Sequence, residues 1–291
     1  MNSKQLETLK KNLLKEERRR LRSSGNGRKC LFSALLLLLL LLPAVQLGRE
    51  PLAAWLYDQA QRLFRQLEYP GAMRTLRWVG RLSTSGLAPK ARLLIGDIQD
   101  LELDQPQEAV LTYLTLVRDF PRTPQAETAL RRAANLYLNR LGDPAQALPL
   151  LQRLADAGVA DADAVRYQIA DSYFTLRNYE QARIEFETLL KLFPDTRYAA
   201  EASYRIGVCL VLENRHQQAE RQFRMTANRW PEDTFGLEAL FALSGLYERR
   251  DELLRARKLL RELRDRYPKR DLLERRLKQI EDRMRRKKKA I

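Results

Sequence analysis

The sequence predicts an all-α protein. It reads as a right-handed superhelical solenoid of about six helical hairpins, closed by a C-terminal capping helix and preceded by one transmembrane helix. Three observations predict it. Six alanines (Ala72, Ala109, Ala147, Ala182, Ala219 and Ala256) recur every 35 to 38 residues. Residues 30–48 are uncharged and contain the unbroken leucine run Leu35 to Leu42. The net charge of +16 sits at the two ends of the chain.

Residues 1–29 carry ten Lys/Arg against three Glu and read as a basic cytoplasmic tail. Leu6, Leu9 and Leu13 follow helical spacing among its lysines. The tail either lies on the inner leaflet or only fixes topology. Arg18, Arg19 and Arg20 are its candidate contacts to anionic lipid, worth about 1 kcal/mol per basic residue near the surface.

Residues 30–48 read as a signal-anchor helix. At 1.5 Å per residue such a segment rises about 28 Å, close to the hydrocarbon thickness of about 30 Å. Eight leucines at about −0.5 kcal/mol each favour insertion by roughly 4 kcal/mol. A cleaved signal peptide has a shorter basic region and an A-x-A-like ending. Here Leu42 stands two before Ala44, so a retained anchor is expected. Only Arg49, Arg62 and Arg65 are basic in residues 49–68. The positive-inside rule then puts the amino terminus in the cytoplasm and the remainder across a bacterial inner membrane, in the periplasm.

Residues 49–268 form the repeat. Four residues after each alanine stands a large apolar one: Leu76, Tyr113, Leu151, Phe186, Phe223, Leu260. Twelve after it comes a helix-breaking slot: Thr84, Pro121, Val159, Pro194, Pro231, Pro268. Twelve or thirteen before it is a small residue: Ala60, Gly96, Ala134, Ala170, Gly207, Ser244. Three further on stand Leu63, Gln99, Tyr137, Tyr173, Leu210 and Tyr247. A small residue on one helix lets the next approach closely. The large residue is expected to fill the gap between hairpins, and the breaker redirects the chain. Such a hairpin cannot bury its own apolar face, so neighbours stack.

The pattern resembles the tetratricopeptide repeat. Residues 163–194 match it best, through Ala170, Tyr173, Tyr179, Ala182, Phe186 and Pro194. The period exceeds the usual repeat of about 34 residues, so a longer turn between hairpins is expected. The stretch Phe193-Pro194-Asp195-Thr196 with Ala199, Ala202 and Tyr204 to Gly207 is similar to the periplasmic TolA-binding cell-division coordinator and the outer-membrane barrel-assembly lipoprotein. The chain lacks the cleavable signal, coiled-coil start and lipidated cysteine of those relatives.

Residues 269–291 carry eleven Lys/Arg against four acidic residues. Leu272, Leu273, Leu277, Ile280 and Met284 mark a capping helix, and Arg283 to Lys289 a solvated basic tail. The body between the ends has 32 Lys/Arg against 30 Asp/Glu, so no nucleic-acid partner is expected.

Chemistry is not signalled. The chain has one His and two Cys, too few for a four-ligand zinc site. It has no phosphate-binding glycine loop and no nucleophile elbow. No cofactor, metal or catalytic residue is assigned, and an enzyme is not expected. Binding by shape remains. First helices of such hairpins line a concave groove, and the positions three before and one after the small residue should face it. These are Arg131 and Asn135, Tyr167 and Asp171, Tyr204 and Val208, and Phe241 and Gly245, with Glu248 one turn on. Tyr167, Tyr204 and Phe241 form an aromatic ladder for a peptide, or else pack against neighbouring second helices. Arg131 with Asn135 resembles half of a carboxylate clamp used by some members of the family. The expected function is a membrane-anchored scaffold for envelope-assembly or cell-division proteins. The alternative is a cytoplasmic array resembling the inner-membrane regulator of lipopolysaccharide assembly.

Overall fold

The computed structural model describes residues 7–8, 10–18, 49–83 and 86–289. The span expected over 30–48, Arg19, Arg20, Cys30 and Thr84 lie outside the described residues. Residues 10–18, Arg18 among them, are helical and exposed. Among the described residues no helix is long and apolar enough to cross a membrane.

The chain divides into two compact units, Met1–Ile98 and Gln99–Ile291. In the first, residues 49–65 (α1) are helical and are followed by α2, Tyr69–Leu82, and α3, Leu87–Asp97. A π-helical segment, Ile98–Glu102, comes next. The second unit holds ten helices among its described residues. They are α4 Pro106–Asp119, α5 Pro124–Asn139, α6 Pro144–Asp156, α7 Ala162–Thr175, α8 Tyr179–Leu192, α9 Ala199–Leu212, α10 His216–Arg229, α11 Thr234–Arg249, α12 Leu253–Glu262 and α13 Arg270–Lys289. From α4 onward each helix packs on the next, and α9 also touches α11. The described residues contain no strand. This is an all-α helical-repeat solenoid.

All six alanines are fully buried, as are Leu76, Tyr113, Phe186 and Leu260, with Leu151 and Phe223 at 1% exposure. Burying each such large side chain is worth about 1.5–3 kcal/mol. Where these side chains go corrects one expectation. The rings of Phe186 and Phe223 reach the first helix of their own hairpin, 5.8 Å from Tyr167 and 5.9 Å from Tyr204. A Cβ on Gly207 would lie 2.4 Å from Phe223 Cε1. At Gly207 the small residue therefore seats the large one, Phe223, within the hairpin.

One repeating device does not show in composition. Five residues before each alanine the backbone turns left-handed: Leu67, Asp104, Gly142, Arg177, Asn214 and Asp251, with φ between 54° and 64°. The next residue's amide then bonds back to the helix just ended. Glu68, Gln105, Asp143, Asn178, Arg215 and Glu252 donate to the carbonyls of Leu63, Gln99, Tyr137, Tyr173, Leu210 and Tyr247, at 2.7 to 2.9 Å. These acceptors are the residues three beyond the small slot. The closure is that of a left-handed helix cap, which satisfies orphan carbonyls. In the second and third repeats the bond spans one residue more. There the slip in the small-residue register is absorbed, by the π-helical segment in the second repeat and by a wider Leu141 to Leu136 bond in the third.

Turns between hairpins are a second fixed module. Phe120, Phe193 and Trp230 cap α4, α8 and α10 with φ near −130°. Their carbonyls accept the amides of Thr123, Thr196 and Asp233 at 3.2 to 3.3 Å. The proline after each cannot donate to the helix, which ends it. The next helix after Trp230 starts so close that a Cβ on Gly236 would meet the Trp230 carbonyl at 1.8 Å.

Helix α13 buries Leu273, Leu277 and Ile280, while Leu272 stays 39% exposed. The basic run that follows is not simply solvated. Arg283 pairs with Asp251 at 3.0 Å, and Lys287 also reaches Asp251.

Candidate functional site on the first helices

The candidate face is built by α5, α7, α9 and α11. The small residue of each is buried, and the flanking positions are half covered except Gly245, which is buried. Those positions are engaged with the next repeat, in register. Arg131 forks onto Asp161 with Nη1–Oδ2 at 2.6 Å and Nη2–Oδ1 at 2.8 Å, and reaches Glu127 at 3.3 Å. The expected half-clamp already holds a carboxylate of its own chain. Asn135 Oδ1 accepts from Gln168 Nε2 at 3.2 Å. Tyr167 Oη donates to Glu201 at 2.5 Å. Arg205 lies 3.6 Å from Glu201 and 3.5 Å from Asp171. Burial first, and then the Glu201 carboxylate, push the Tyr167 phenol well above its ordinary range, so it remains a neutral donor.

The ladder is corrected in the same way. Tyr167 stacks on Tyr198 at 4.4 Å, Tyr204 meets Phe235 at 5.9 Å, and Phe241 stacks on Tyr267 at 4.8 Å. Tyr167 and Tyr204 pack on aromatics at the entrance of the following repeat, and Phe241 packs on the aromatic in the turn before the capping helix, so the three do not stand as open rungs. At α11 the face is roofed by the capping helix. Arg276 lies over the Phe241 ring at 4.9 Å, against Gly245, and binds Glu248 at 3.1 Å. Arg283 also approaches Glu248 at 3.9 Å. Phe241 and Glu248 are thus internal to the cap contact.

An opening remains in the middle of the face. A cavity of about 230 Å³ is lined by Tyr167, Gln168, Asp171, Ser172 and Thr175 of α7, with Leu138, Asn139, Gly142 and Pro144 across from them. Small-molecule sites usually measure about 300–1,000 Å³; this one fits a single side chain among hydroxyl, amide and carboxylate groups. It gathers two of the expected residues, Tyr167 and Asp171. Sequence reasoning missed Gln168, Glu201 and Arg205. A usable signal was Glu201 and Glu238, each three before a ladder aromatic.

The other groups singled out in the sequence have structural surroundings. His216 opens α10 at the hairpin turn with its Nδ1 buried and without a hydrogen-bond partner. Cys209 is fully buried. Among the described residues no cluster of three or more His, Cys, Asp or Glu could hold a metal.

Residues 167–234 match a family model described as tetratricopeptide repeat, and residues 238–270 match a second of that description. Together the two matches cover about a third of the chain. The matched stretch runs from α7 to the start of α13. Several solved structures are similar. A tetratricopeptide repeat protein from Parabacteroides merdae is 19% identical, covers 75% of this chain and 80% of its own, and has a TM-score of 0.48. YrrB, described as a tetratricopeptide repeat protein with an unusual peptide-binding site, is 18% identical over 65% of this chain and 91% of its own, with a TM-score of 0.49. MamA from Desulfovibrio magneticus is 20% identical over 60% and 92%, with a TM-score of 0.43. No curated protein matches the sequence.

Proposed function

We propose that this protein is a non-catalytic scaffold, held in a bacterial inner membrane by residues 30–48, whose repeats bind other proteins in the periplasm. The partners fitting the TolA-binding and barrel-assembly resemblance are envelope-assembly or cell-division proteins. The observation that carries the reading is the tetratricopeptide run over 167–270, together with the side-chain-sized opening at Tyr167 and Asp171 on its first helices. The charge step across the apolar segment supports the topology, with ten basic residues before it and three in the twenty after. The ladder rings are occupied by packing, so recognition is assigned to the polar opening on α7.

Two measurements test this. Alkaline phosphatase fused after Ile291 is active only outside the cytoplasm, and an inactive fusion overturns the periplasmic topology. Crosslinking in cells followed by affinity purification should recover a partner set that Asp171→Ala depletes. Met225→Ala, on the exposed side of α10, should leave that set intact. The reverse result would move the binding face to the second helices.

A further inference from the structure

The helix α2 has a composition unlike that of the second helices after it. Its sequence contains Arg74, Arg77 and Arg81 and no acidic residue. With Trp78 these residues follow i, i+3, i+4, i+7 spacing, which lays them along one side of a helix. All four are exposed, Trp78 at 55%. Among the described residues none of the three arginines has an acidic partner, and Arg81 instead lies over the Trp78 ring at 5.3 Å. At the same positions later second helices hold at most two unpaired basic residues each, such as Arg153, Lys191 and Arg221, among neutral residues, acids such as Glu187 and Glu262, or an arginine paired to an acid, Arg224 with Glu220. The surrounding piece is also basic, with eight Lys/Arg against four Asp/Glu from Arg49 to Asp97.

The end of α2 is tied back to the start of α1. Ser83 Oγ donates to Glu50 Oε2 at 3.1 Å. Glu50 is two residues past the end of the apolar segment, so the Arg77–Arg81 end of α2 returns to where the chain would leave a bilayer.

We propose that this face of α2 is a membrane contact, laying Arg74, Arg77 and Arg81 on anionic phospholipid headgroups with Trp78 at the interface. The inference rests on the anchor reading above. The chemistry fits the surface. Guanidinium groups bind phosphate oxygens through paired hydrogen bonds, and the amphipathic indole favours the headgroup level. Contact there fixes the first hairpin against the lipid sheet, where a flexible tether would let it swing free.

The test uses the full chain carrying Trp55→Phe and Trp230→Phe, which leaves Trp78 as its one tryptophan. It is reconstituted in vesicles of phosphatidylcholine alone, or with one part in three phosphatidylglycerol, with the acyl chains brominated near the headgroup. Trp78 emission should be quenched in the anionic vesicles and much less in the neutral ones. Arg74→Gln, Arg77→Gln and Arg81→Gln together should lower the docked-to-undocked ratio roughly hundredfold and abolish the quench. Flotation reports the anchor separately. A chain that floats with vesicles while Trp78 stays unquenched overturns this proposal and leaves the anchor standing. A chain that does not float overturns the anchor, and this contact with it. Quenching that survives the triple change refutes the electrostatic basis. If in detergent duplex DNA shields Trp78 from acrylamide and phosphatidylglycerol micelles do not, the face belongs to nucleic acid and the proposal fails.

Discussion

Replacing Gly207 with alanine probes how the hairpins close. In an ordinary helix interior the change stabilises by about 0.5–1 kcal/mol, because glycine loses more backbone entropy on folding. Here the new Cβ would lie 2.4 Å from Phe223 Cε1, 2.6 Å from Cδ1 and 3.0 Å from Cζ. Phe223 is 1% exposed, so its ring has no open space to enter. Overpacking of this kind costs about 1–3 kcal/mol. The clash outweighs the propensity gain, and a net loss of about 1–2 kcal/mol is expected. Phe223→Leu removes Cε1 and Cζ, two of the three clashing atoms, lets the remaining branched end rotate away, and alone leaves a gap. In the double variant the alanine methyl occupies part of that gap, so the two changes should couple by about 1–2 kcal/mol in the compensating direction. A repeat array need not unfold in one step, so the assay is amide exchange of α9 and α10 by mass spectrometry, which reads local opening. Protection of α9 and α10 that rises in Gly207→Ala, or two changes that merely add, would refute close approach as the reason for the glycine.

Other outcomes follow from the same geometry. Arg177 holds a φ of 61° at the α7–α8 turn, so Arg177→Gly should stabilise that hairpin by up to about 1 kcal/mol, seen as slower exchange at Asn178; faster exchange would show that the left-handed turn carries no strain. Glu220 accepts from Arg250 at 2.5 Å, Arg224 at 2.8 Å and Tyr247 at 3.1 Å. Burial raises its carboxyl, but the bonds from Arg250, Tyr247 and Arg224 together bring it below its ordinary 4.5. A depressed carboxylate stabilises above its unfolded value, and that contribution is lost as the pH falls through the folded one. Glu220→Gln should therefore destabilise α10–α12 by about 1–2 kcal/mol at pH 7, and the difference from the parent should shrink as the pH drops below 4.5, followed by exchange or circular dichroism. A difference that persists at pH 2 would assign the effect to packing. Burial, reinforced by Glu213, pushes the Cys209 thiol up to about 12. In a Cys30→Ser background iodoacetamide at pH 8 should label it about a thousandfold more slowly than a free cysteine, and urea should restore labelling. Fast native labelling would mean that α9 opens readily.

The sequence determined the repeat. Alanine, large apolar residue, breaker and small residue recur because each does a local job that chain spacing alone reports: filling a contact, ending a helix, admitting a neighbour. It also placed the cap, since Leu273, Leu277 and Ile280 follow helical spacing and are buried. Tertiary structure decided what the exposed-looking positions touch. Spacing puts Arg131, Asn135, Tyr167 and Asp171 on one face, but their partners lie 30 to 34 residues onward, at Asp161, Gln168, Glu201 and Arg205. Spacing within one helix cannot reveal which neighbour's polar group arrives opposite. The left-handed turns were hidden for a related reason. Leu67 and Arg177 are not residues that favour positive φ, and they adopt it because the two packed helices on either side, joined by the bond back to Leu63 or Tyr173, leave the chain no other path.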